Sequence, residues 1–140
     1  MLHQFEEHAH GAFKAYISRL LPRARGVTDI NLCVVNIGVW GINLSALYLA
    51  RLNRLSLSLI APYLAVVNGA LHLIPAMRER RYNPGLLTGA LLLLPFGGIT
   101  LKRVARASRA TRRDHLFGLG GAIFVHLLTI VAILFIGKKK

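Results

Sequence analysis

The sequence predicts an all-α integral membrane bundle in one domain over residues 1–140, with four spanning helices preceded by an amphipathic or half-buried helix. Three observations carry that reading. Hydrophobic residues make up 54% of the chain and charged residues 16%, and the mean hydropathy is +0.51, a balance foreign to soluble domains. The apolar residues gather into four runs, about 30–50, 55–77, 86–101 and 115–136, nearly empty of acidic and basic side chains. At about 1.5 Å rise per residue these runs reach roughly 24–34 Å against a hydrocarbon core of about 30 Å, the third only just. Disorder, a secreted disulfide scaffold and a soluble enzyme are excluded as first readings.

In chain order, the first element is a helix over residues 2–21. Leu2, Phe5, Phe13, Tyr16, Ile17 and Leu20 recur there at helical intervals among polar residues. Pro22 ends or kinks it, Arg19, Arg23 and Arg25 hold that end near water, and Thr28 or Asp29 caps the first span. Connections follow at Arg51 to Arg54, Arg78 to Gly85 and the basic stretch Lys102 to Asp114. Four crossings return the chain to its starting side, so both termini are expected on one face. Gly38, Gly41, Gly85, Gly89, Gly118, Gly120 and Gly121 suit close helix packing. Nothing in the sequence fixes an oligomeric state.

The net charge of +13 comes from 18 Lys and Arg, which fall in the gaps between apolar runs. There they serve as anchors to membrane lipids through snorkelling and attraction to anionic head groups, and no nucleic acid partner is expected. Ten lie on the side of the termini and eight opposite, a division too even to orient the protein. The densest loop, Lys102 to Arg113, leans weakly towards the cytoplasm. Cys33 is the single cysteine, so no intrachain disulfide forms, and Glu6 and Glu7 stand where a signal peptide would need an apolar core.

The chemistry is concentrated in His3-Gln4-Phe5-Glu6-Glu7-His8-Ala9-His10, three imidazoles and two carboxylates in a chain with five acidic residues. On a wheel with His3 at zero, Glu6 falls at about −60°, Glu7 at about +40° and His10 at about −20°. Four ligand-type side chains then share one face, and His8 points elsewhere. Inside the spans, Asn36, Asn68, His72 and His126 lie about 9, 13, 7 and 15 Å deep, all measured from the side of the N-terminus. Polar groups in hydrocarbon require partners, and a common metal site satisfies them. The expected ligands are His3, Glu6, Glu7, His10, His72 and His126, with Asn36 and Asn68 as outer partners. Imidazole nitrogen and carboxylate oxygen suit zinc or iron, and also manganese; the lack of thiolates argues against copper(I) or an iron–sulfur cluster.

His3-Gln4-Phe5-Glu6-Glu7 resembles the signature of the HXXEE family, small membrane proteins of undefined biochemical function. Asn68-Gly-Ala-Leu-His72, Arg81-Tyr82-Asn83-Pro84-Gly85-Leu-Leu-Thr88 leading into Leu91 to Pro95, and His126 are similar to later blocks of that family. The resemblance implies an apolar span before the motif and an aromatic-Pro-Gly-Gly-Phe stretch after it. This chain begins instead at Met1, as a short variant or a misplaced start would, and continues His8-Ala-His10-Gly-Ala-Phe13. His10 thus stands where the family tends to have an aromatic, and its place among the ligands rests on the wheel alone.

The expected function is a metal-dependent membrane enzyme acting on a lipid-soluble small molecule, as a hydrolase or an oxygen-activating oxidase. Glu6 or Glu7 would serve as general base, or both would bridge two ions. A metal-free alternative uses a partly buried Glu6 or Glu7 to move protons in an isoprenoid isomerase or cyclase. A non-catalytic alternative is a proton or metal carrier, or a subunit of a larger complex. Simpler readings stand beside each residue: a solvated helix face for His3, Glu6 and Glu7, interhelical hydrogen bonds for His72 and His126, packing for the asparagines, an interfacial or capping place for His115, membrane-belt packing for Tyr82 and Trp40, and a turn for Asn83-Pro84-Gly85.

Overall fold

The computed structural model describes residues 2–24, 26–107 and 109–137. Among them every regular element is helical. Two short helices, α1 (Leu2–His8) and α2 (Ala12–Leu20), precede α3 (Asp29–Arg51). Then α4 (Leu55–Ser58) and α5 (Ile60–Glu79) run on as one rod, α6 (Leu86–Thr88) continues through a π-helical stretch into α7 (Leu94–Arg106), and α8 (Arg112–Gly137) completes the chain. Four of these rods are long and apolar enough to cross a membrane: Asp29–Arg51, Leu55–Glu79, Leu86–Arg106 and Arg112–Phe135. They are called the first to fourth spans below.

The expected single helix over residues 2–21 is broken. His10 and Gly11 take positive φ of 55° and 72°, a left-handed pair that no helix passes through, and Ala9–Gly11 forms a 3-10 turn instead. Glycine at 11 makes this affordable, and α2 leaves at a new angle. The wheel that placed His10 beside His3 therefore stops at His8.

Helix ends follow local chemistry. Thr28, one of the two expected caps, forms a reciprocal box with Asn31: its backbone N–H donates to Asn31 Oδ1 at 2.9 Å, and Asn31 N–H donates to Thr28 Oγ1 at 3.3 Å. The fourth span begins with an equivalent box, Thr111 N–H donating to Asp114 Oδ2 at 2.8 Å and Asp114 N–H to Thr111 Oγ1 at 3.2 Å. That box starts the helix at Arg112, three residues ahead of the expected 115. The third span also outruns its expected end at 101, continuing to Arg106, because basic side chains on its last turns reach back to water. Its π-helical stretch Gly89–Leu93 lies just before Pro95. A proline has no N–H to give and its ring crowds the carbonyl four residues back, so the turn ahead widens.

The rods pack around the second span, with the third span on one side of α5 and α8 on another. Gly118 and Gly121 of the fourth span lie against Leu59 and Ile60 so closely that a Cβ would stand 2.7–2.8 Å from those side chains. Gly38, Gly41 and Gly120, expected at such contacts, face open space. The first span is held near its ends and touches α5 and α8 only sparsely, which leaves a gap along its inner face. Few large side chains are buried, and Ile30, Leu91 and Phe135 are 75%, 69% and 68% exposed. This inversion of a soluble core is what lipid contact demands.

Candidate metal centre

The helix α1 lies over the ends of the second and third spans, at the loop joining them. Two residues anchor it. Glu6 accepts four hydrogen bonds from the beginning of the third span and the turn before it: Oε1 from Tyr82 O–H at 2.7 Å and Leu87 N–H at 3.0 Å, and Oε2 from Thr88 N–H at 2.8 Å and Thr88 O–H at 2.5 Å. The carboxylate thus caps the exposed N–H groups of a helix to which it is not connected in sequence, where the helix dipole favours an anion. His8, expected to point away from the site, meets Asn36 of the first span, its Nε2 2.7 Å from Asn36 Nδ2.

With α1 seated, His3 and Glu7, four apart on one helical face, come down beside His72 of the second span. Glu7 Oε1 lies 3.1 Å from His72 Nε2 and 3.5 Å from His3 Nε2. The two rings meet edge to face with centroids 5.1 Å apart. Among the described residues, His3, Glu7 and His72 form the one group whose ligand atoms all lie within 4.8 Å of one another. Glu7 and His72 are buried, at 8% and 5% exposure.

The proton positions follow from the partners. Asn83 donates its Nδ2–H to the backbone oxygen of His72 at 2.8 Å, so its Oδ1 faces His72 Nδ1 at 3.1 Å and that nitrogen carries the hydrogen. Thr88 gives its hydroxyl hydrogen to Glu6 and accepts from His3 Nδ1 at 2.7 Å, so His3 is also protonated at Nδ1. Both Nε2 lone pairs consequently point at the carboxylate. Asn68 Nδ2 satisfies that of His3 at 2.8 Å, whereas His72 Nε2 and Glu7 Oε1 face each other as two acceptors, an arrangement that requires a cation between them, a proton or a metal ion.

Gly85 closes the floor. Its φ is 89°, and a Cβ built there would stand 2.7 Å from His72 Cε1, 2.9 Å from His3 Cε1 and 3.0 Å from Glu7 Cγ. Only a residue without a side chain leaves the three groups room to converge.

Burial holds His3 below the usual histidine range, with the Glu7 charge offsetting part of that effect and His72 adding to it. Burial alone would raise Glu6, but the bonds from Thr88, Tyr82 and Leu87 outweigh it and hold the carboxyl down to about 2. The shared hydrogen bond pushes Tyr82 up to about 12. Because the folded Glu6 value lies below the ordinary 4.5, its contribution to stability is complete above pH 4.5 and is lost as pH falls towards about 2. Thermal unfolding in detergent is expected to show that loss for the natural chain and a flatter acid limb for Glu6→Gln; identical limbs would refute the capping role.

Three expected ligands stand elsewhere. Glu6 is committed to the capping bonds through both oxygens, which removes it as ligand and as general base. His10 is exposed at the left-handed turn. His126 donates its Nδ1–H to the Ala122 carbonyl at 2.9 Å and lines a neighbouring cavity rather than joining the triad. Asn68, expected as an outer partner, touches His3 Nε2, the nitrogen that faces Glu7. Asn83, Thr88 and Gly85 were not singled out for the site, although the block Arg81 to Thr88 holds all three. His115, expected as interfacial or capping, sits in the first turn of the fourth span with its Nδ1 3.0 Å from Tyr63 OH.

The cavity, about 330 Å³, opens beside the triad and runs along the gap inside the first span. His3, Glu7 and Asn68 stand at the triad end, with Trp40, Asn43 and His126 farther along.

No curated protein and no solved structure matches this chain. One family model, described as a protein of unknown function with HXXEE motif, matches residues 1–100, a stretch that includes all three residues of the triad, the Glu6 cap and the loop beneath them. The chain belongs to the HXXEE family.

Proposed function

We propose that the protein is a metal-dependent integral membrane enzyme acting on a lipid-soluble substrate, with His3, Glu7 and His72 holding one divalent ion. The observation that carries this reading is the facing pair of acceptors, His72 Nε2 and Glu7 Oε1 at 3.1 Å, with a second imidazole nitrogen 3.5 Å from the same oxygen. Two imidazoles and one carboxylate form the donor set of zinc hydrolases and of iron(II) oxygenases, both of which leave positions open for water and substrate. Manganese also accepts such donors. When bound, the ion would supply a polarised water or an oxygen-binding site.

The protein's own residues prepare that chemistry. Asn83 and Thr88 fix the ring orientations through the nitrogens away from the site, as outer partners of metal-bound histidines do. Asn68 gives up its contact with His3 Nε2 when an ion takes that lone pair. Four crossings bring both termini to the same membrane face and set the triad near that interface, where a substrate arriving through lipid meets it from the cavity.

Elemental analysis of purified protein tests the reading. Stoichiometric zinc, iron or manganese is expected, and its disappearance is expected in a folded His3→Ala, His72→Ala double variant. A natural chain that stays metal-free after incubation with each ion, and is no less stable for it, would overturn the proposal and leave a proton as the cation in the acceptor pair.

A further inference from the structure

The cavity beside the triad has a shape and a polar group that the metal chemistry does not use. Leu32, Val35, Asn36, Val39, Trp40 and Asn43 line it from the first span, a single helical stripe at the spacing i, i+3, i+4, i+7, i+8, i+11. Eleven residues of rise make that wall about 16 Å long. A sphere of about 330 Å³ is only about 9 Å across, so the cavity is a slot lying parallel to the lipid chains. Its opposite wall includes Ala65, Phe96 and Thr129.

His126 stands in the middle of α8, which runs Arg112–Gly137, and so near the centre of the hydrocarbon. Its Nδ1–H is spent on the Ala122 carbonyl. With Nδ1 as the donor, Nε2 of the neutral ring is an acceptor, and among the described residues the Ala122 carbonyl is the one hydrogen-bond partner of this slot-lining side chain. Asn43 is held through Nδ2 to the Val39 carbonyl at 2.8 Å, which leaves its Oδ1 and one N–H for the slot. A hydroxyl donates to His126 Nε2 and keeps a lone pair for a donor of the slot such as the remaining Asn43 N–H. A ketone or an ether gives His126 nothing, and an alkane leaves every polar group there unpaired.

We infer that the slot binds one long hydrocarbon chain drawn from the bilayer and bearing a hydroxyl within its length, and that His126 selects that hydroxyl. This inference rests on the functional reading above for what happens at the triad, but binding in the slot needs neither metal nor turnover.

Trp40, the only tryptophan in the chain, lines the slot and reports on it directly. The probes are a brominated hexadecanol with its hydroxyl at mid-chain, the matching ketone and the matching alkane, each titrated into nanodiscs of unbrominated phosphatidylcholine. The alcohol is expected to quench Trp40 saturably, at a mole fraction about tenfold below that of the ketone or alkane, the difference one unmet hydrogen bond makes. Ala65→Phe fills the slot and is expected to leave only weak, linear quenching from lipid outside; should it fail to fold, Val39→Phe closes the slot from the other wall. His126→Phe is expected to bring the three probes to equal potency. Linear quenching unchanged by either filling variant overturns the inference, as does saturable quenching in which the natural chain prefers no probe. Repeating the titration after chelation separates the two readings: saturable, hydroxyl-selective quenching in a protein that never holds metal retires the enzyme and keeps the slot.

Discussion

Glu7→Gln is expected to abolish metal retention while the protein stays folded. The substitution keeps the size of the side chain and a carbonyl oxygen beside His72 Nε2, now 3.1 Å from Glu7 Oε1, but removes the sole anion of the triad. It also removes the conflict that calls for a cation, since an amide N–H can donate to the imidazole lone pair. Loss of an outer partner of a metal ligand lowers affinity about 10–100-fold, so loss of the anionic ligand itself is expected to exceed that. Metal content and a competition titration with a chromogenic chelator measure the effect; unchanged affinity would show that Glu7 is not a ligand. Glu6→Gln, by contrast, acts through the seating of α1 and is expected to leave residual, weaker binding, so the two adjacent glutamates separate into different roles.

That separation was only half legible in the sequence. Composition and run length were enough for four crossing helices and for the second span, whose bounds change by two residues, because burial of a backbone in lipid admits few alternatives. The pairing of His3 and Glu7 was legible as well, since i, i+4 on a helix is a local relation. His10 was misplaced because the wheel assumes an unbroken helix, and the left-handed pair at His10 and Gly11 breaks it. Glu6 was misassigned for a different reason. Its partners, Tyr82, Leu87 and Thr88, lie more than seventy positions away, and a capping contact made in space by an unconnected carboxylate leaves no local spacing to detect. His126 was counted from the same side as His72 but lies about 15 Å deep against about 7 Å, and its ring turns to the Ala122 carbonyl instead of the triad.

The same distinction makes Gly85→Ala the sharpest test of how the site is built. The residue sits in a loop, where one added methyl is ordinarily tolerated. Here two costs coincide. At φ 89° an alanine pays a left-handed penalty of about 1–2 kcal/mol, and its Cβ meets three side chains that cannot all retreat. His72 is held from behind by Asn83, His3 by Thr88, and Glu7 lies on a helix pinned through Glu6. Displacing any of them lifts α1 from the loop, so metal retention and the thermal stability of the whole N-terminal unit are expected to fall together. Gly98→Ala is the control, in the span that this loop leads into, with nothing within 4 Å of the added atom, and is expected to change neither. Gly85→Ala protein that keeps full metal content and natural stability would mean that the three groups do not converge over Gly85, and the triad would have to be rebuilt from other partners.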